Sequence, residues 1–188
     1  MATHEAPYGT WASPITPETL TERTVNLSQM RQDGPDLYWV EDNPRRQGRS
    51  VLLRRDAMGQ VGEALPMLEG SRLVSVATNV HGRGGRAYAV KDGAIVVSDG
   101  FDDRVYYFRV PDRKRELRPL TQLDHRRYGD FWLDEPRGLV YAVMEEPDPT
   151  DPAAEPRNVL VAIPLDGSAV RDERRIKEIF RDSDFVSS

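Results

Sequence analysis

Apolar and polar positions along this chain follow no sustained helical period; short runs of β-branched and aromatic residues, each closed by a turn signal, recur instead. That pattern predicts strands joined by hairpins. Ala87-Tyr88-Ala89-Val90 and Ala94-Ile95-Val96-Val97 flank Lys91-Asp92-Gly93, and an Asp-Gly step between two such runs is a strong hairpin signal. Aligning the runs exposes a repeat. Val51-Leu52-Leu53-Arg54, Val105-Tyr106-Tyr107-Phe108 and Val159-Leu160-Val161-Ala162 begin 54 residues apart.

Each of these runs follows another: Tyr38 to Asp42, Ile95 to Asp99 and Tyr141 to Glu146. Turns stand before those, at Asp33 to Asp36, Lys91 to Gly93 and Glu135 to Gly138, and one more strand precedes each turn, at about Val25 to Arg31, Arg86 to Val90 and Asp130 to Asp134. A weaker fourth run comes last, near Ala64-Leu65, Glu116-Leu117 and Ile176 to Phe180. Four antiparallel strands per unit, repeated, are the signature of β-propeller blades. A β-sandwich also places short strands at regular spacing; the internal repeat favours blades. The expected fold is therefore all-β, a partial β-propeller of about three four-stranded antiparallel blades. Residues 1–24 read as an N-terminal extension and 25–188 as the propeller part, with blades at about 25–70, 80–121 and 128–181. The stretch Glu145 to Asn158 carries four prolines, which cannot donate to a ladder, and reads as an exposed loop.

Closed propellers usually hold about 4 to 8 blades, each burying its faces on its neighbours. The last unit, with Phe131, Trp132, Leu139, Tyr141, Val159 and Ile163, is as apolar as the middle one, whereas a terminal repeat facing solvent needs a polar cap. The expectation is a fragment of a larger propeller, or a chain that pairs with another copy or partner.

Composition narrows the function classes. With 26 basic and 31 acidic residues interspersed, the net charge of -5 offers no basic stripe for nucleic acid; Arg113-Lys114-Arg115 and Arg126-Arg127 read as strand ends and loops. No long apolar run predicts a membrane span. The polar start, Met1 to Thr10, lacks the secretory pattern, and a cytoplasmic location is expected. The absence of cysteine removes disulfides, thiolate catalysis and cysteine-ligated metals. No cofactor is expected.

The stretch Val80 to Gly100 places glycines beside His81, Arg83 and Arg86. A phosphate-binding loop requires that its glycines feed a helix, and a strand follows here. Gly84 and Gly85 instead suit a tight backbone path into a blade strand, with His81, Arg83 and Arg86 as candidate contacts to a substrate or neighbouring domain. Glu145 and Glu146 are either an acidic pair for a substrate amine or the start of a solvated loop. His4, His81 and His125 share no metal-ligand spacing. Asp99, Asp102 and Asp103 resemble calcium-loop spacing only superficially. Trp39 and Trp132, inside strand runs, are expected in the core.

The opening Ala6 to Thr16 (APYGTWASPIT), the stretch Val80 to Val90 (VHGRGGRAYAV) and the closing Asp182 to Ser188 (DSDFVSS) together resemble the N-terminal propeller of the prolyl oligopeptidase family of serine peptidases. The likeness is to the acylaminoacyl-peptidase and dipeptidyl-aminopeptidase-like branch and runs from Tyr8 to Ser188. Relatives carry Glu and Tyr after the histidine of the second motif, where this chain has Gly82 and Arg83. The resemblance implies a propeller that covers a C-terminal α/β-hydrolase domain and limits access to short peptides, a gating and selecting role. The family's serine sits on a Gly-x-Ser-x-Gly elbow, followed by Asp and His. Gly167 to Arg171 lacks the second glycine and no histidine follows, so this chain is expected to be non-catalytic alone. Its expected partners are the hydrolase domain or further blades, with a peptide as the parent enzyme's substrate. Two other readings stand beside this one: a free-standing binding or scaffold protein completed by oligomerisation, and an independent propeller-type hydrolase, which requires clustered acidic or histidine ligands that the sequence does not display.

Overall fold

The structure is a computed structural model, and it describes residues 25–46, 48–68, 72–82, 85–110, 116–151 and 153–181. Twelve strands among these form three antiparallel sheets, each ordered as in the chain. The first holds β1 (Asn26–Asp33), β2 (Asp36–Asp42), β3 (Ser50–Arg55) and β4 (Val61–Glu63). The second holds β5 (Tyr88–Lys91), β6 (Ala94–Ser98), β7 (Val105–Arg109) and β8 (Arg118–Pro119). The third holds β9 (Arg127–Asp134), β10 (Leu139–Glu146), β11 (Arg157–Pro164) and β12 (Lys177–Phe180). This is the four-stranded blade repeat that the sequence predicts, and the molecule is an all-β partial propeller.

The sheets stack face to face. Tyr38, Val40 and Leu52 of the first sheet pack with Ile95, Val97, Tyr106 and Phe108 of the second. The opposite face of the second sheet, with Ala94, Val96 and Val105, packs against Phe131, Leu133, Val140, Ala142, Val161 and Ile163 of the third. A strand covered on both faces has no polar side to show, which is why β6 reads as an unbroken apolar run and is buried throughout.

Side-chain acceptors close the seams between sheets. The Asp33 carboxylate, at the end of β1, accepts from the backbone N–H groups of Asp92 (2.8 Å) and Gly93 (2.7 Å) in the neighbouring hairpin turn. Between the second and third sheets, Tyr107 and Arg109 both donate to Glu135, at 2.8 and 2.6 Å. The connection from β4 to β5 threads the first seam: Val76 N–H donates to the Ser50 carbonyl, and Val76 bridges to Asp99.

Two expectations need correction. Trp132 is 69% exposed, while Phe131 and Leu133 on either side are buried; with a period of two, the tryptophan stands on the sheet face turned away from the second sheet. Trp39, between buried Tyr38 and Val40, is half-buried on the first-sheet face turned away from the second sheet. The fourth strand of the third sheet falls on the expected run, as β12 lies within Ile176 to Phe180, but those of the first two sheets lie beside the expected apolar residues and not on them. Ala64 and Leu117 are buried core residues, but the ladders form at 61–63 and 118–119. An outermost strand needs no apolar side chain to hold its ladder, and β4 and β12 are exposed at every position.

Three buried phenols make the fold sensitive to alkali. Burial, helped by the hydrogen bond that Tyr106 donates to Asp102, pushes its hydroxyl up to about 12. Burial raises Tyr88 and Tyr128 further still. Each phenol is neutral in the folded state at a pH where the unfolded chain, titrating at about 10, has lost its proton. Their stabilisation is therefore complete below about pH 10 and lost as pH rises through the folded values. The share of the tyrosinate absorbance that belongs to these buried phenols is expected to rise in one cooperative step with the loss of β circular dichroism above pH 10; their ionisation in an intact fold would contradict it.

Candidate axial-end site

The innermost strands β1, β5 and β9 lie side by side, and polar side chains gather where the chain enters β5. A short turn at Val80–Gly82 holds His81 in the left-handed region, at φ 64° and ψ 24°. The His81 backbone N–H donates to Glu145 Oε1 at 2.7 Å. Its ring lies between two carboxylates, with Nε2 3.5 Å from Asp130 Oδ2 and Nδ1 3.6 Å from Glu145 Oε1. Both carboxylates are buried, so the imidazole is the group that faces them in place of water. Asp130 Oδ1 also accepts from the Arg86 N–H at 3.0 Å, and the Asp130 N–H donates to the Arg86 carbonyl at 2.9 Å.

Gln29 serves the same entry from the first sheet. Its Oε1 accepts from the Ala87 N–H at 2.7 Å, and its carbonyl accepts from the Tyr88 hydroxyl at 2.6 Å. Gln29 (φ 54°) and Asp130 (φ 51°) are both left-handed residues at register shifts in an inner strand. A bulge of this kind re-aims one side chain, and here it turns each across a seam. At Gly85 an added Cβ would lie 3.2 Å from Asp130 Oδ2, so that carboxylate would have to give way by a few tenths of an ångström.

Beside this cluster lies a cavity of about 590 Å³, lined by polar groups that include Ser28, Gln29, Asp42, His81, Arg86 and Asp130. The structure brings His81, Arg86 and Glu145 to one end of the sheets. It does not bring Glu146 with them. Glu145 and Glu146 are successive residues of β10 and point to opposite faces: Glu145 turns in to His81, while Glu146 pairs with Arg157 at 2.8 Å. They do not form a joint carboxylate pair, nor do they lie in a loop. Arg83 and Gly84 lie outside the described residues, as do the stretches Ala6 to Thr16 and Asp182 to Ser188. Gln29 and Asp130 escaped the sequence reading; the only signal was a polar residue interrupting each inner strand.

Asp99 is a buried structural carboxylate. Arg72 donates to its Oδ2, and the N–H groups of Ser75 (3.0 Å) and Phe101 (3.2 Å) donate to its Oδ1. Among the described residues no group of three or more His, Asp or Glu side chains is placed to hold a metal ion.

The fold and its repeat define a class, the propeller region of prolyl oligopeptidase-family serine peptidases, which this chain resembles in sequence as well as in architecture. Puromycin hydrolase, solved as a mutant complexed with PGG, superimposes with a TM-score of 0.79 at 31% identity over 95% of this chain. A second puromycin hydrolase structure gives 0.79 and 30% over 96%, and a puromycin-hydrolyzing peptidase of Mycobacterium tuberculosis gives 0.75 and 31% over 96%. The chain spans 28% of the length of each of these proteins. No protein-family model matches it, and no curated protein matches it.

Proposed function

We propose that this chain is the non-catalytic propeller portion of a prolyl-oligopeptidase-like serine peptidase, and that it gates or selects peptide substrates. The observation that carries this reading is the likeness along 95% of the chain to 28% of puromycin hydrolase, at an identity that extends beyond fold. The catalytic serine, and an α/β-hydrolase domain to hold it, then belong to other parts of the protein. The polar cavity at the axial end, edged by the exposed Arg86, is the surface on which a passing peptide is sorted. A cytoplasmic location, and the acylaminoacyl or dipeptidyl specificity of the branch, are part of the same proposal.

The gene product purified from its own cells is expected to react with a fluorophosphonate serine probe and to hydrolyse puromycin, while the 188-residue chain does neither. Strong labelling of the 188-residue chain sinks the reading, as does a native product that neither labels nor hydrolyses. In the native product, Arg86→Glu is expected to change KM for short peptides several-fold at unchanged kcat, the pattern of altered binding without altered chemistry.

A second reading, a free-standing binding protein completed by oligomerisation, has one observation in its favour. Leu27 and Met30 on β1 are 62% and 65% exposed, which gives the first sheet an apolar edge as well. It predicts a discrete oligomer of the 188-residue chain at micromolar concentration.

A further inference from the structure

The axial-end cavity carries charge of both signs, and its hydrogen bonds show which of those charges are already engaged. Asp130 takes the Arg86 N–H on one oxygen and faces His81 with the other. Glu145, against the same imidazole, takes the His81 N–H. Asp42 accepts from Asn26 at 3.4 Å, at the end of the β1–β2 ladder remote from its turn. The Thr78 hydroxyl donates to the Tyr128 carbonyl at 2.7 Å and accepts from the Val80 N–H at 3.2 Å. At the entry to β5, by contrast, two donors stand uncommitted. The Arg86 guanidinium is exposed, lines the cavity, and makes no ion pair or hydrogen bond among the described residues. Gln29 commits its Oε1 to the Ala87 N–H, which leaves its amide nitrogen as a donor in the lining of the same cavity. The backbone N–H and carbonyl of Arg86 are both bonded to Asp130, which fixes the point from which the guanidinium reaches out.

We infer that this corner of the cavity binds a carboxylate of the substrate peptide, with Arg86 as the ion-pairing partner and the Gln29 amide as a second donor. This rests on the reading of the cavity as the surface on which peptides are sorted, and it names the group they are sorted by. A guanidinium offers two parallel N–H groups in the geometry of a carboxylate, which gives the contact direction as well as charge. A carboxylate seated at the Asp42 end meets like charge there, so the Arg86 side is the place for it. Glu145 and Glu146 offer an amine no equivalent place: the first is buried against His81 and the second pairs with Arg157. The carboxylate can be a free C-terminus or the side chain of an acidic residue, since the guanidinium reads the group and not its origin.

Steady-state hydrolysis of trialanine, trialanine amide and Ala-Ala-Glu amide by the gene product purified from its own cells tests this. Trialanine is expected to show a KM several-fold below that of its amide, an advantage that shrinks at high salt as the ion pair is screened. Arg86→Gln is expected to bring the KM of trialanine up to that of the amide, with the melting temperature unchanged because the guanidinium is exposed. Arg86→Lys keeps the charge without the fork and is expected to retain part of the advantage. If Ala-Ala-Glu amide is preferred over trialanine amide, and Arg86→Gln removes that preference, the inference stands with the side chain as the source of the carboxylate. Equal KM values for the three peptides, a lower KM for trialanine amide, or a preference for a carboxylate that survives Arg86→Gln overturns it. The fluorophosphonate result separates the two proposals. A labelled product that does not discriminate among the peptides keeps the peptidase reading and removes the carboxylate site. An unlabelled product that cleaves nothing, yet binds trialanine over its amide in calorimetry and loses the difference in Arg86→Gln, does the reverse.

Discussion

Replacing Asp99 by alanine is expected to destabilise the fold by about 3 kcal/mol, the loss of a buried acceptor that serves an ion pair and a buried backbone N–H together. The carboxylate is 0% exposed, and it serves three donors that come from both sides of the first seam. Without it the buried Ser75 N–H loses its acceptor, an orphan that costs about 1–3 kcal/mol, and the Phe101 N–H, on a residue 60% exposed, loses a part-buried one. Arg72 is better placed, because its guanidinium is 38% exposed and keeps Asp102 at 2.6 Å. The loss therefore falls mainly on the backbone groups. For a chain of this size about 2–4 °C of melting temperature goes with each kcal/mol, so a fall of about 6–12 °C is expected by circular dichroism. Asp99→Asn keeps one acceptor oxygen and is expected to fall about midway. A shift under about 2 °C for Asp99→Ala, less than one lost kcal/mol at that rate, would show that the connection from β4 to β5 is not held through this carboxylate.

The strands were legible because each is short, apolar and bounded by turn chemistry, all of it local. The 54-residue spacing then made a blade repeat out of them without any contact being known. Burial on each side was harder to read. Trp132 looks like core in a run with Phe131 and Leu133, and only the pleat, together with the side on which the second sheet lies, puts it outside. The axial cluster was legible only in part. His81 and Arg86 stood out in a glycine-rich stretch, but Glu145 meets His81 across 64 residues, and Ala87 meets Gln29 across 58. Such contacts are set by how sheets stack, and no local pattern encodes them. Glu145 and Glu146 make the same point in reverse: neighbours in sequence become opposites on a strand, one against His81 and the other against Arg157.

Gly93→Ala is expected to cost about 3 kcal/mol, although it adds one methyl group at the surface end of a hairpin. Two separable effects contribute. Asp92 (φ 50°) and Gly93 (φ 77°) are both left-handed, as a two-residue turn matched to strand twist requires, and a side chain in that region costs about 1–2 kcal/mol. The second effect is steric. A Cβ on Gly93 would stand 2.4 Å from the Val110 carbonyl oxygen, and that strand end cannot retreat freely, because the Val110 N–H donates to the Gly93 carbonyl at 2.7 Å. Relief requires the turn to open, which pulls the Gly93 N–H off Asp33 and loosens the seam to the first sheet. Gly34 supplies the control. It occupies the matching turn of the first sheet at φ 56°, with nothing within 4 Å of an added Cβ. Gly34→Ala is therefore expected to cost only the conformational part, about 1–2 kcal/mol. Urea denaturation of the two variants measures the difference between them. Equal losses would mean that the Val110 contact relaxes at no cost, and that the second hairpin is held by its turn geometry alone.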